Sequence, residues 1–129
     1  MSQVKYTLSE GTLTLPEARA SLVLTRAWDV KPGEEEAYLK NQVAKLKRDM
    51  KKFSGGEVIN TQLGGRPAQE VALRFDNHSV TVYEQLIATM LDDHLLVMAM
   101  SRNAPFDEDA LAVWESIKAG LEFTPGEGA

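Results

Sequence analysis

The chain has 129 residues, a formal net charge of −5, 26% charged residues and no cysteine. That length suffices for one domain around a single core without a covalent staple, and the missing thiols exclude disulfides, thiolate catalysis and cysteine-ligated zinc. The acidic balance repels phosphate backbones and anionic lipid, which argues against nucleic acid or stable membrane association.

The opening reads as a hairpin, because Tyr6, Leu8, Leu13 and Leu15 alternate with polar residues around a Ser9-Glu10-Gly11 turn and Pro16 stops the second strand. Met1 to Tyr6 lacks the basic region and apolar core of a secretory signal, and the longest apolar run, Leu95 to Met100, is too short to span a bilayer. The expectation is a soluble cytoplasmic protein. Ala20 to Trp28 predicts a strand with Ser21, Val23 and Thr25 on one face and Leu22, Leu24 and Arg26 on the other, before Lys31-Pro32-Gly33 breaks it.

A helix is predicted from Glu34 to Phe53. At about 100° per residue, Tyr38, Leu39, Gln42, Val43, Leu46, Met50 and Phe53 fall in one arc and Lys40, Lys45, Lys47, Arg48, Lys51 and Lys52 in the other. Glu34, Glu35 and Glu36 suit the positive end of the helix dipole, and Glu36 to Lys40 is a favourable i,i+4 pair. The basic back reads as solvated surface, and Ser54-Gly55-Gly56 as the helix stop.

Four strand-like runs follow, Glu57 to Leu63, Pro67 to Phe75, Ser79 to Met90 and Leu95 to Arg102. Their short polar turns imply antiparallel neighbours. Asp107, Glu108 and Asp109 then open a final helix with Ala110, Val113, Trp114, Ile117 and Leu121 on one stripe. The fold class is α+β, an antiparallel sheet with two main helices. Residues 1–123 form a single domain in this reading and 124–129 a frayed tail.

No phosphate loop, nucleophile elbow, His-Glu-x-x-His or EF-hand spacing is present, so the reading is not enzymatic and no cofactor is implied. His78 and His94 sit in predicted turns beside aspartates and read as exposed turn residues rather than ligands, and Asn77-His78-Ser79 reads as a chance glycosylation triplet. The apolar positions are more informative. Met50, Met90, Met98 and Met100 either fill core gaps or present an adaptable surface. Gln42 and Gln85 either reach water at a stripe edge or line an apolar groove, where their amides would bond to a bound helix.

Tyr6-Thr7-Leu8-Ser9-Glu10-Gly11-Thr12-Leu13-Thr14-Leu15-Pro16, the helix with Tyr38 and Gln42-Val43, and Gly64-Gly65-Arg66-Pro67-Ala68 form an ordered set. That set resembles the Eag chaperones of type VI secretion, a DcrB-like group related to the Mog1 and PsbP-like folds, over most of residues 5–123. The resemblance implies a cytoplasmic homodimer that cradles the N-terminal apolar helices of an Rhs-type effector before loading on a VgrG spike. By position, it places the binding surface on Ser21, Val23 and Thr25, on Gln42, Leu46 and Met50, and on Thr81 and Gln85. The chain departs from the family where Ala20 to Thr25 follows Pro16 almost at once, without the tryptophan-containing segment and further groove strand. The rival reading is a small-ligand or lipid-binding module on the same fold.

Overall fold

The run Leu95 to Met100 is continuously apolar because its strand is packed on both faces, a demand that strict alternation would not meet. A computed structural model, describing residues 11–15, 19–91 and 93–121, shows how this arises. The chain forms β1 (Gly11–Leu15), β2 (Ala20–Ala27), α1 (Glu35–Asp49), β3 (Lys51–Gly55), β4 (Ile59–Leu63), β5 (Arg66–Asn77), β6 (Val80–Met90), β7 (Leu95–Arg102) and α2 (Glu108–Gly120). The strands make one antiparallel sheet in the order β1-β2-β7-β6-β5-β3. β4 pairs with the first half of β5 and β3 with the second, so the two share one edge.

The helices lie on opposite faces. Leu22 and Leu24 of β2, Met98 and Met100 of β7 and Ile87 of β6 pack with Trp114 and Ile117 of α2. Val71 and Leu73 of β5, Leu86 of β6 and Val97 of β7 pack with Leu39 of α1. Met98 and Met100 are therefore core, fully buried. Asp107 caps α2 by accepting from the Ala110 N–H at 2.8 Å, as the acidic start of that helix suggests.

α1 is shorter than its hydrophobic stripe. The last helical bond runs from Met50 N–H to the Leu46 carbonyl, and Met50 itself is extended at ψ 150. Lys51 to Phe53 then belong to β3, where the second half of β5 offers backbone partners that a longer helix would forfeit. A register shift between Lys51 and Ser54, with Lys52 at φ 52, lets half-buried Phe53 reach the α1-side core. Ser54 and Gly55 thus end a strand, not the helix. The Glu36–Lys40 pair forms as expected, at 2.9 Å.

β1 pairs with β2 from Gly11 to Leu15, whereas Tyr6 and Leu8 of the expected hairpin, and the 124–129 tail, lie outside the described residues. Two hairpin turns share one backbone shape with different chemistry. Between β4 and β5, Gly64 and Gly65 take φ 57 and 82 without cost, while between β5 and β6 His78 and Ser79 take φ 51 and 69.

An open groove beside the first helix

α1 leans on β3, β5 and β6, and α2 occupies the other side of the sheet, so no described helix covers the α1-side face of β2. The result is a groove of about 260 Å³, open to solvent. Tyr38, Gln42 and Leu46 form its wall. Val23 and Thr25 of β2, Val97 and Ala99 of β7, and Glu84 and Leu86 of β6 form its floor.

Of the residues anticipated from sequence, Val23, Thr25, Gln42 and Leu46 converge here. Ser21 lies exposed on the same face of β2, opposite Ser101. Met50, half-buried at the end of α1, is not part of the lining. Thr81 and Gln85 are on the other side of the sheet. Gln85 is registered between Ala72 and Met100, and Thr81 donates to Asp76 Oδ1 at 2.9 Å. The reason is the two-residue period of a strand, in which a one-residue frame error exchanges faces. Glu84, the neighbour of Gln85, faces the groove instead, and sequence reasoning missed it.

Glu84 is the unusual group of the floor. Ser101 Oγ donates to its Oε1 at 3.0 Å, but burial dominates and pushes the carboxyl above the ordinary carboxylate range. Among the described residues it has no ion-pair partner. The half-buried Gln42 amide likewise has no hydrogen-bonding partner within the chain among these residues. Two larger hollows flank α1. One of about 430 Å³ is rimmed by the Glu36–Lys40 pair and is more polar, and one of about 400 Å³ is lined by Val30, Ala37 and Tyr38 with Glu34 and Asn41.

His78 is exposed, but His94 is completely buried, against the expectation of a solvated turn residue. Arg26 lies 2.6 Å from its Nε2 and Asp93 Oδ1 lies 2.7 Å from its Nδ1, and Trp28, itself 61% exposed, stacks on the ring at 3.9 Å. A guanidinium can only donate, so Nε2 accepts and Nδ1 carries the proton given to Asp93. Both ring nitrogens are thereby satisfied, and the histidine fastens the end of β2 to the β6–β7 turn. Among the described residues no cluster of His, Cys, Asp or Glu is arranged to hold a metal ion. Nor is any described helix long and apolar enough to cross a membrane.

An antiparallel sheet with one helix on each face and an open groove beside the first defines an α+β protein of DcrB-like architecture. The chain belongs to the DcrB family, whose model matches residues 11–120. Its fold is similar to that of PA94 from Pseudomonas aeruginosa, a protein of unknown function considered a candidate regulator, with a TM-score of 0.75 and 13% identity over 97% of this chain and 86% of that one. A weaker likeness, with a TM-score of 0.46 and 16% identity, is to LpqN of Mycobacterium tuberculosis, involved in cell envelope biogenesis; it covers 78% of this chain and 59% of that one. No curated protein matches in sequence.

Proposed function

We propose that this DcrB-family protein is an effector chaperone of the Eag type, holding the N-terminal apolar helices of an Rhs-type type VI effector in the groove beside α1 until loading on a VgrG spike. The observation that carries the reading is the face of β2 and β7 that α1 leaves uncovered, with Val23 and Ala99 half-buried beside Gln42 and Leu46. An apolar helix of about 20 residues, some 30 Å long, cannot remain dissolved in cytosol unaided. Such a helix laid across the groove would place side chains in it.

One copy covers one side of a helix, so the working unit is a homodimer in the cytoplasm with the cargo between protomers. Burying on the order of 1,000 Å² of apolar surface contributes about 25 kcal/mol gross, much of it offset by ordering and association, which leaves binding tight yet exchangeable. The unpartnered Gln42 amide adds direction, since it can bond to polar groups of the cargo.

Co-expression with a soluble carrier protein fused to one apolar 20-residue helix tests the reading. The fusion is expected in the soluble fraction with the wild-type chain and in the pellet with Val23→Asp, a half-buried floor position where a charge is tolerated by the fold but not by an apolar ligand. Equal partitioning with both would overturn the proposal.

A further inference from the structure

The groove is not the floor that indiscriminate binding of hydrocarbon would require. A leucine in place of Glu84 would add apolar area and remove a half-buried carboxyl, yet this position holds an acid. Among the described residues Glu84 carries the one carboxylate of the lining, and no described lysine, arginine or histidine joins it. Its single described partner is the Ser101 hydroxyl on Oε1, which leaves Oε2 without a donor from the described chain. The basic residues of α1 do not answer it, since Lys40, Lys45 and Lys47 are exposed and absent from the lining. Half-buried Glu84 reaches water only through the open groove, so a ligand that covers the floor strips that water from Oε2, and a cation carried by the ligand would replace it.

We infer that the groove selects an apolar segment bearing one basic side chain, which Glu84 receives at the floor. The inference rests on the proposed binding of an apolar helix and adds what that helix must carry. A charge-assisted bond from an ammonium or guanidinium to Oε2 completes the carboxylate's shell. Selectivity follows as much from rejection: a purely hydrocarbon segment buries Glu84 without a partner, and an acidic one is repelled. Gln42 and Thr25 remain available for the ligand's backbone or hydroxyls, so these groups and Glu84 divide register from charge recognition.

Three apolar helical peptides of equal length with uncharged polar flanks, differing only in a central lysine, norleucine or glutamine, provide the test. Their affinities are measured by fluorescence anisotropy against the wild-type dimer or monomer and against Glu84→Gln, with thermal melting to verify folding. The lysine peptide is expected to bind the wild type about tenfold or more tighter than the norleucine peptide, a difference Glu84→Gln abolishes. Should Glu84→Gln fail to fold, Glu84→Asp, which keeps the charge on a shorter stem, is expected to retain the preference for lysine in reduced measure. Equal binding of the lysine and norleucine peptides, or a lysine preference that survives Glu84→Gln, overturns the inference while the groove reading stands. A glutamine peptide binding as tightly as the lysine peptide overturns it also, because Glu84 would then act as a neutral hydrogen-bonding group. If none of the peptides binds, the groove reading itself falls, and the inference with it.

Discussion

Lys118 of α2 donates to Glu70 of β5 across the buried layer between helix and sheet, Nζ to Oε1 at 2.6 Å, with both side chains under a tenth exposed. The Trp114 indole N–H donates to the other carboxylate oxygen at 2.8 Å, and Lys118 also reaches Glu115 at 3.0 Å. This network fixes the angle at which α2 lies on the face opposite the groove. Lys118→Ala strands the buried Glu70 carboxylate and is expected to cost about 3–5 kcal/mol, and Glu70→Ala, which leaves Lys118 its Glu115 partner, is expected to cost less. Chemical denaturation is the measurement. The double replacement Glu70→Leu/Lys118→Met is expected to cost much less than the sum, with the unpaired Trp114 N–H retaining about 1–3 kcal/mol of loss.

The β5–β6 turn holds two residues with side chains at φ 51 and 69, where the equivalent β4–β5 turn uses two glycines. Replacing His78 by Asn and Ser79 by Gly supplies the pair that this turn shape favours. The double variant is expected to gain about 1 kcal/mol, seen as a higher midpoint at unchanged slope in urea. A lower midpoint would show that His78 or Ser79 contributes a side-chain contact that outweighs the backbone strain.

Glu84 makes stability depend on pH in the direction opposite to a paired carboxylate. Its folded-state pKa is raised by burial, so the folded protein holds a proton that the unfolded chain releases. The stabilisation is complete below the ordinary glutamate range and is lost as pH rises through the raised value. Glu84→Gln cannot ionise. Its melting temperature is expected to exceed that of the wild type at pH 7, with the gap narrowing as pH falls toward 4. Melting curves across that range test the sign, and a gap that widens toward acid would contradict it.

The sheet was legible in the sequence because its turns are explicit and its central strand is apolar throughout. The faces carrying Val23 and Thr25 and carrying Gln42 and Leu46 could each be read from an alternating strand and an amphipathic helix, but it was the family resemblance that implied they lie side by side. The end of α1 could not be read, since Met50 and Phe53 continue the helical period although β5 claims Lys51 to Gly55 as a strand. Nor could the face of β6 be read, because Val80-Thr81-Val82-Tyr83-Glu84-Gln85 alternates weakly and only pairing with β5 and β7 sets its frame. That one-residue uncertainty exchanged Gln85 for Glu84. His94 was hidden for another reason: an aspartate neighbour suggests a solvated turn, while its burial depends on Arg26 and Trp28, distant in the chain.

The central claim is that the uncovered face beside α1 receives an apolar helix, and methyl NMR during titration with such a peptide tests it most directly. Resonances of Val23, Leu46, Leu86 and Val97, which line the groove, are expected to shift together and saturate. Those of Leu111, Val113 and Ile117 on α2, across the sheet, are expected to stay in place. Shifts confined to the α2 residues, or no saturable shift at the groove methyls, would contradict the account.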